Sequence, residues 1–363
     1  VGVETAYSTL ICVLAPRCEQ ASMRTTGSYR LMPTGLLMRV VLGYPVEPQH
    51  VARIATQWPD ADLVPVEQEA LAEALLDCDV FCGHAKVPVP WDEIVGRGRL
   101  QWIQSSAAGM DHCLVPSVIE SDIVVSSASG VLARQVVDQT MALLAGVLRS
   151  LPAFFSAQRR KEFVRRPTRD LYGTRVGLIG LGGNGRLLAK TLKAFNVEIW
   201  ATDYFPSETC VHVDRLLPAD AVDEMLPKLD SLILTAPLTE LTRGMIDKRR
   251  LALLPADAAL VNVARGPLVV ENDLVDALEN GHLWGAGVDV TEIEPLPTES
   301  RLWEAPRTLI TPHVGGQRKS RIDDMTELFC ENIRRRREGR TLANLVDKRL
   351  GFPHPANLYR AVR

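Results

Sequence analysis

The run Val176-Gly-Leu-Ile-Gly180 is short and apolar, ends in Leu181-Gly182-Gly183-Asn184-Gly185, and passes at once into a helical pattern over 186–195. A strand, a glycine turn and a helix in direct succession leave few folds open. The spacing G-x-G-x-x-G at Gly180, Gly182 and Gly185 has a steric reason at each position. Gly180 permits the tight turn, Gly182 lets backbone approach an anion, and Gly185 lets helix and strand pack closely. The amides that open the helix suit a pyrophosphate, with Gly183 and Asn184 in the same turn. The next apolar run closes on Asp203, where a carboxylate can accept hydrogen bonds from ribose hydroxyls and repel a 2′-phosphate. The expectation is a dinucleotide site that prefers NAD to NADP.

That unit sits inside a longer alternation. At 363 residues, with 46% hydrophobic and 23% charged side chains, the chain can bury two cores of ordinary size. From Met38, strand-like runs at 39–42, 62–66, 80–82 and 102–105 alternate with helical patterns and lead into the glycine-containing loop Ser106-Ala-Ala-Gly-Met-Asp111. A helix is expected over 133–150, followed by a basic surface loop over 158–170. A second series has strands at 176–181, 197–201, 231–236, 259–263, 286–290 and 308–311. Repeated βαβ alternation predicts an α/β protein with two Rossmann-like, doubly wound parallel sheets. A last helix spans Arg321–Arg337 and stops at Gly339, before a tail interrupted by Pro353 and Pro355.

Composition removes other classes. Lys plus Arg number 41 against 44 Asp plus Glu, a net charge of −3, which supplies no general field for nucleic acid or anionic membrane. The run Arg334–Arg337 falls in the last turn of its helix, where cations meet exposed carbonyls, and is read as a solvated cap. Apolar runs reach about nine residues, against the roughly 18–20 of a bilayer span. Seven scattered cysteines, of which only Cys78 and Cys82 lie close, predict free thiols, no metal site and a cytoplasmic setting. Residues 1–37 lack a basic leader pattern and are expected to be a weakly ordered extension.

Three further residues stand near the ends of late strands. Arg265 lies in Asn262-Val-Ala-Arg-Gly-Pro267, Glu294 in Asp289-Val-Thr-Glu-Ile-Glu-Pro295, and His313 in Thr311-Pro-His-Val-Gly-Gly316. Ligands of open α/β sheets bind outside the carboxyl ends of the strands, so these three can converge. Imidazole ionises near neutrality and suits proton transfer in either direction, and guanidinium offers a planar fork for a carboxylate.

The cofactor signature, Asn-Val-Ala-Arg-Gly, Asp-Val followed by Glu-Pro-Leu-Pro, and Thr-Pro-His-Val-Gly-Gly, in this order, resemble the D-isomer-specific 2-hydroxyacid dehydrogenases. The resemblance runs over about 38–350, including Ala236-Pro-Leu-Thr239 and Asn344-Leu-Val-Asp-Lys348. It implies reversible hydride transfer between NADH and a small 2-oxo acid. His313 would be the acid/base, Glu294 its hydrogen-bonded partner, and Arg265 the group that polarises the carbonyl and holds the carboxylate. The resemblance places the second carboxylate anchor on amides of Ala108 and Gly109, and the cofactor cleft on Ala236, Pro237, Val263, Asp289 and Gly315 beside His313. It also implies a homodimer with the 133–150 helix as a contact, a cofactor domain over 135–317, and a discontinuous substrate domain over 38–134 and 318–352, with 353–363 as a tail. Asn184 departs from the branched apolar residue usual there, Gly183 from the usual basic or polar one, and Asp138 stands for the usual glutamate. Two rival readings share the scaffold: an NAD-sensing corepressor-like binding protein and a phosphite-type dehydrogenase.

Overall fold

The computed structural model describes residues 37–359. The expectation for residues 1–37 therefore lies, but for Leu37, outside the described residues, as does the end of the tail. The first series folds as β1 (Met38–Gly43), α1 (Pro48–Gln57), β2 (Ala61–Pro65), α2 (Gln68–Leu75), β3 (Val80–Gly83), α3 (Trp91–Arg97), β4 (Trp102–Ser105), α4 (Pro116–Glu120) and β5 (Val124–Ser126). These strands form one parallel sheet in the order β2-β1-β3-β4-β5. The long α5 (Ala133–Leu148) and short α6 (Leu151–Arg159) follow.

The second series runs β6 (Arg175–Ile179), α7 (Gly183–Leu192), β7 (Glu198–Asp203), β8 (Arg215–Pro218), α8 (Val222–Met225), β9 (Ser231–Leu234), α9 (Lys248–Leu253), β10 (Ala259–Asn262), α10 (Glu271–Glu279), β11 (Gly285–Val288) and β12 (Thr308–Ile310). It forms a seven-stranded parallel sheet in the order β12-β11-β10-β9-β6-β7-β8. The order reverses beside β6, so the crevice of this sheet opens next to the glycine turn. The sequence expectation of six strands is corrected to seven, and the first sheet gains β5 as a fifth strand. β8 reads Arg-Leu-Leu-Pro at the sheet edge, where one side needs no partner and proline is tolerated.

Inner strands such as β3, β9 and β10 are buried at every position. Both sheet faces are covered by helices, which is why these strands carry continuous apolar runs rather than alternation. The apolar face of α5 is used within the chain: Val137, Leu143, Leu144 and Val147 pack with Leu178, Ile233 and Val261. The opposite face of this helix, with Arg134, Asp138 and Ala142, is exposed. The helix also ends earlier than expected. Ser150 takes a left-handed backbone, φ 57°, and the chain turns into α6, so the expected loop over 158–170 begins only past Arg159.

The last helix, α11 (Arg321–Arg337), returns to the first sheet, where Phe329 packs on the buried Trp102 with ring centroids 5.3 Å apart. Burying such a side chain contributes on the order of 2–3 kcal/mol. Arg336 corrects the solvated-cap reading of the arginine run. It is 9% exposed, lies over the Trp102 ring at 5.5 Å, and burial lowers its pKa. Among the described residues no single helix is long and apolar enough to cross a membrane. The five described cysteines are free thiols, and no cluster of metal-ligating side chains occurs among the described residues.

Candidate functional site

The glycine turn is shaped by what its residues exclude. Gly180 has φ +97°, and a Cβ there would lie 2.7 Å from the backbone of Ala236. A Cβ on Gly185 would lie 2.3 Å from the Gly180 carbonyl oxygen. Gly182 caps α7, and a Cβ there would meet nothing within 4 Å, so open space faces the first amides of the helix. That is the cradle a pyrophosphate needs. A Cβ on Gly183 would come within 2.7 Å of Gly130 Cα, so the segment arriving from the first sheet crosses here backbone to backbone. Asn184 is half-buried in the first turn of α7, and the cradle is built of amides that do not depend on its side chain.

Asp203 braces the same turn. One carboxylate oxygen accepts from the Leu181 amide at 2.6 Å and the other from the Phe205 amide at 2.9 Å. Ala236 and Val263 are buried, and Pro237 is partly so, at the ends of the neighbouring strands.

Of Arg265, Glu294 and His313, the last two meet directly, while Arg265 stands on a turn packed against the segment that carries Glu294. Beyond β10, the buried Asn262 donates to the Arg265 carbonyl at 2.9 Å and accepts from the Ala264 amide at 3.1 Å, which fixes the turn that presents Arg265. The next residue must be glycine, since a Cβ on Gly266 would lie 1.8 Å from the Thr291 carbonyl oxygen. This close approach brings the Arg265 turn against the segment that carries Glu294. One Glu294 oxygen accepts from the Thr291 amide at 3.2 Å, and the other lies 2.8 Å from His313 Nδ1. The ring is therefore held at Nδ1, leaving Nε2 as the free nitrogen.

His313 has a left-handed backbone, φ 54°, which an L side chain rarely adopts. Asp289 holds it there. Its carbonyl accepts from the His313 amide at 2.7 Å, and its carboxylate accepts from the Thr311 hydroxyl at 2.6 Å, the Val314 amide at 3.0 Å and the Gly315 amide at 2.7 Å. Gln139 of α5 donates to Thr311 at 2.8 Å. Both oxygens of Asp289, which is expected in the cofactor cleft, engage the His313 loop and brace it. Gly315 is engaged in the same brace.

The first sheet supplies the opposing wall. Arg265 reaches across to the loop after β4, with Nε 3.3 Å from Asp111 and a guanidinium nitrogen filling the space a Gly109 side chain would occupy. Burial works against ionising Asp111, but the Arg265 guanidinium outweighs it and holds the carboxyl below its ordinary range. The amides of Ala108 and Gly109 have no protein acceptor among the described residues.

Three groups here escaped the sequence reading. Asp111 lay in a quoted motif but its arginine partner is 154 positions away. His84 and His112 come from separate loops and stack with ring centroids 4.2 Å apart, His112 pairing with Ser105 Oγ at 2.9 Å. Burial, with His84 adding, pushes His112 down to about 3; burial pushes His84 down to about 4 against the pull of Asp111. Two histidines at unrelated positions carry no spacing signal.

Both stay neutral when folded but protonate when unfolded near 6.5, so below that pH the unfolded chain binds more protons and stability falls. Denaturant unfolding between pH 7 and 4.5 is expected to show a loss that His112→Gln reduces by about 2 kcal/mol. An unchanged pH slope in the variant would show that His112 is not buried neutral.

The profile of the D-isomer specific 2-hydroxyacid dehydrogenase NAD-binding domain matches residues 141–315. A D-3-phosphoglycerate dehydrogenase of Methanocaldococcus jannaschii is 31% identical over 283 residues, covering 77% of this chain; the chain spans 54%, about half, of that protein. A glyoxylate reductase of Pyrococcus horikoshii is 29% identical over 302 residues, covering 80% of this chain and 89% of that one. Among solved structures, a D-isomer specific 2-hydroxyacid dehydrogenase from Xanthobacter autotrophicus Py2, in complex with NADPH and MES, superposes with a TM-score of 0.74 at 26% identity, covering 87% of this chain and all of that one.

Proposed function

The chain belongs to the D-isomer specific 2-hydroxyacid dehydrogenase family, and on that premise we propose that it interconverts a small 2-oxo acid and the D-2-hydroxy acid using NAD(H). The observation that carries the reading is the His313–Glu294 pair at 2.8 Å, beyond the same sheet end as Arg265, whose guanidinium reaches the loop of the other sheet at Gly109 and Asp111.

The residues fit the cofactor: the Gly180–Gly185 cradle with Gly183 and Asn184 would hold the pyrophosphate, Asp203 the adenosine ribose, and Ala236, Pro237 and Val263 the cleft wall. When bound, the reduced nicotinamide supplies a hydride to the carbonyl carbon. His313 Nε2 gives its proton to the carbonyl oxygen in reduction and takes it back in oxidation. Glu294 fixes the ring so that this nitrogen faces the cleft. Arg265 polarises the same oxygen and, with the Ala108 and Gly109 amides, binds the carboxylate. Asp111 keeps the guanidinium pointed at that loop, and Asp289 positions His313 from below.

Asp203 supports NADH over NADPH. Its carboxylate is fixed by two amides, and a 2′-phosphate brought near it would meet like charge. The Xanthobacter relative, by contrast, was solved with NADPH. Glyoxylate, hydroxypyruvate, pyruvate and 3-phosphohydroxypyruvate, each with NADH and with NADPH, are the test. At least one acid should consume reduced cofactor, with kcat/KM for NADH about ten-fold or more above NADPH. Binding of NADH without turnover of any acid would favour a cofactor-sensing binding protein, and a preference for NADPH would overturn the role of Asp203.

A further inference from the structure

Beyond α11 the chain makes an excursion whose two ends are pinned to the first sheet. Leu345 bridges Ser126 beside β5, and the Asn344 amide group donates to the Ser127 and Ser129 carbonyls at 3.0 and 2.9 Å. Lys348 Nζ donates to the carbonyls of Val118, at 3.0 Å, and Ser121. At the far end, the Asn344 amide donates to the Asn357 carbonyl at 2.7 Å, and the Tyr359 amide donates to Asn344 Oδ1 at 2.7 Å. Residues between these pins form a short antiparallel ladder, Val346–Asp347 on Phe352–Pro353, whose tip leaves its own lobe.

The tip rests on the second sheet's lobe. The Phe352 ring stands edge-on to Tyr204 at 5.9 Å and to Phe205 at 6.1 Å, and the His354 ring lies 4.4 Å from Phe205. A Cβ built on Gly351 would lie 3.8 Å from the Thr239 methyl, so the tip backbone passes close to that side chain. Tyr204 and Phe205 directly follow Asp203, so the four rings gather where the strand end offers its carboxylate to a ribose. Tyr204 remains 49% exposed within this cluster, next to that carboxylate.

We propose that this excursion supplies the outer wall of the adenosine half of the cofactor site, with Phe352 and His354 as binding residues for the adenine ring. The inference rests on the dinucleotide reading above and adds to it a wall drawn from the other lobe. A purine is flat, weakly polar and π-rich, and an aromatic face at a strand end suits it by stacking, as bases stack on protein rings elsewhere. Asp203 and these rings then divide the adenosine between them, the sugar to the carboxylate and the base to the aromatics. The pins at Asn344, Lys348 and Tyr359 matter because they hold the tip without cofactor, so little ordering remains to be done on binding.

The test compares NADH with ADP-ribose, which carries the adenosine and pyrophosphate without the nicotinamide, by calorimetric titration of the full chain. Phe352→Ala and His354→Asn are the variants. Asparagine keeps an acceptor for the Ala356 amide, which His354 Nδ1 caps at 3.1 Å, while removing the ring, so it carries the test should Phe352→Ala fail to fold. Both ligands are expected to weaken by the same factor, about ten-fold for Phe352→Ala and several-fold for His354→Asn, with Phe352→Tyr restoring affinity. Unchanged ADP-ribose affinity in a folded variant overturns the proposal, including the case where NADH alone weakens, since the tip would then act on closure rather than on the base. Wild-type protein that binds neither ligand would remove the cofactor reading itself, and is distinguished by that.

Discussion

His313→Gln is expected to lower kcat by about 10²–10⁴-fold while the dissociation constant for NADH stays within about two-fold. The variant keeps an amide that can donate to Glu294, which lies 2.8 Å from the native Nδ1, but has no group that can gain and lose a proton near neutrality. The loop should survive the change, because its left-handed turn is held by Asp289 through the His313, Val314 and Gly315 amides and not by the imidazole. Steady-state reduction of the best acid from the panel, with fluorescence titration of NADH, reads both quantities. Turnover within ten-fold of wild type would remove His313 from proton transfer. Equal losses in turnover and NADH binding would show a collapsed cleft instead.

Arg265→Lys should cost about 10²–10³-fold in kcat/KM, although the charge is conserved. The guanidinium spans the cleft toward Asp111 and Gly109, and in the proposed role it would also present several fixed N–H donors to the substrate carboxylate and carbonyl. An ammonium has a single point of charge and cannot serve both. The loss should not come from unfolding. The ion pair with Asp111 is partly exposed, and such pairs contribute about 0–1 kcal/mol. A melting temperature within a few degrees of wild type, together with a raised KM for the 2-oxo acid and a lowered kcat, is the expected pattern. A KM and kcat both within two-fold of wild type would place substrate recognition elsewhere.

The parts legible in the sequence are those that short-range sterics specify. Gly180, Gly182 and Gly185 are forced by the turn and by close backbone approach, so their spacing alone locates the cradle. α11 is bounded as expected because its apolar stripe is regular and Gly339 ends it with a left-handed backbone, φ +66°. Arg265, Glu294 and His313 could be singled out because each lies within a few residues of the end of a strand. What escaped depends on partners distant in the chain. β5 is three residues long and β8 ends in proline, and neither shows enough period to separate from a loop. Arg336 looks like part of a solvated run until Trp102, far away in sequence, is brought beneath it. The Asp111–Arg265 pair and the ring contacts of Phe352 exist only once both lobes are folded, and the stacked histidines only once two loops of the first sheet meet.

His313, Glu294 and Arg265 stand on one lobe, whereas the amides of Ala108 and Gly109, without a protein acceptor among the described residues, stand on the other, with Arg265 stretched between them. An acid bound by both walls therefore enters the same thermodynamic cycle as the separation of the lobes. By reciprocity, whatever factor the acid contributes to holding them together, their coming together returns to its affinity. Selectivity for acids and access of water to the reacting atoms are then two readings of one equilibrium constant.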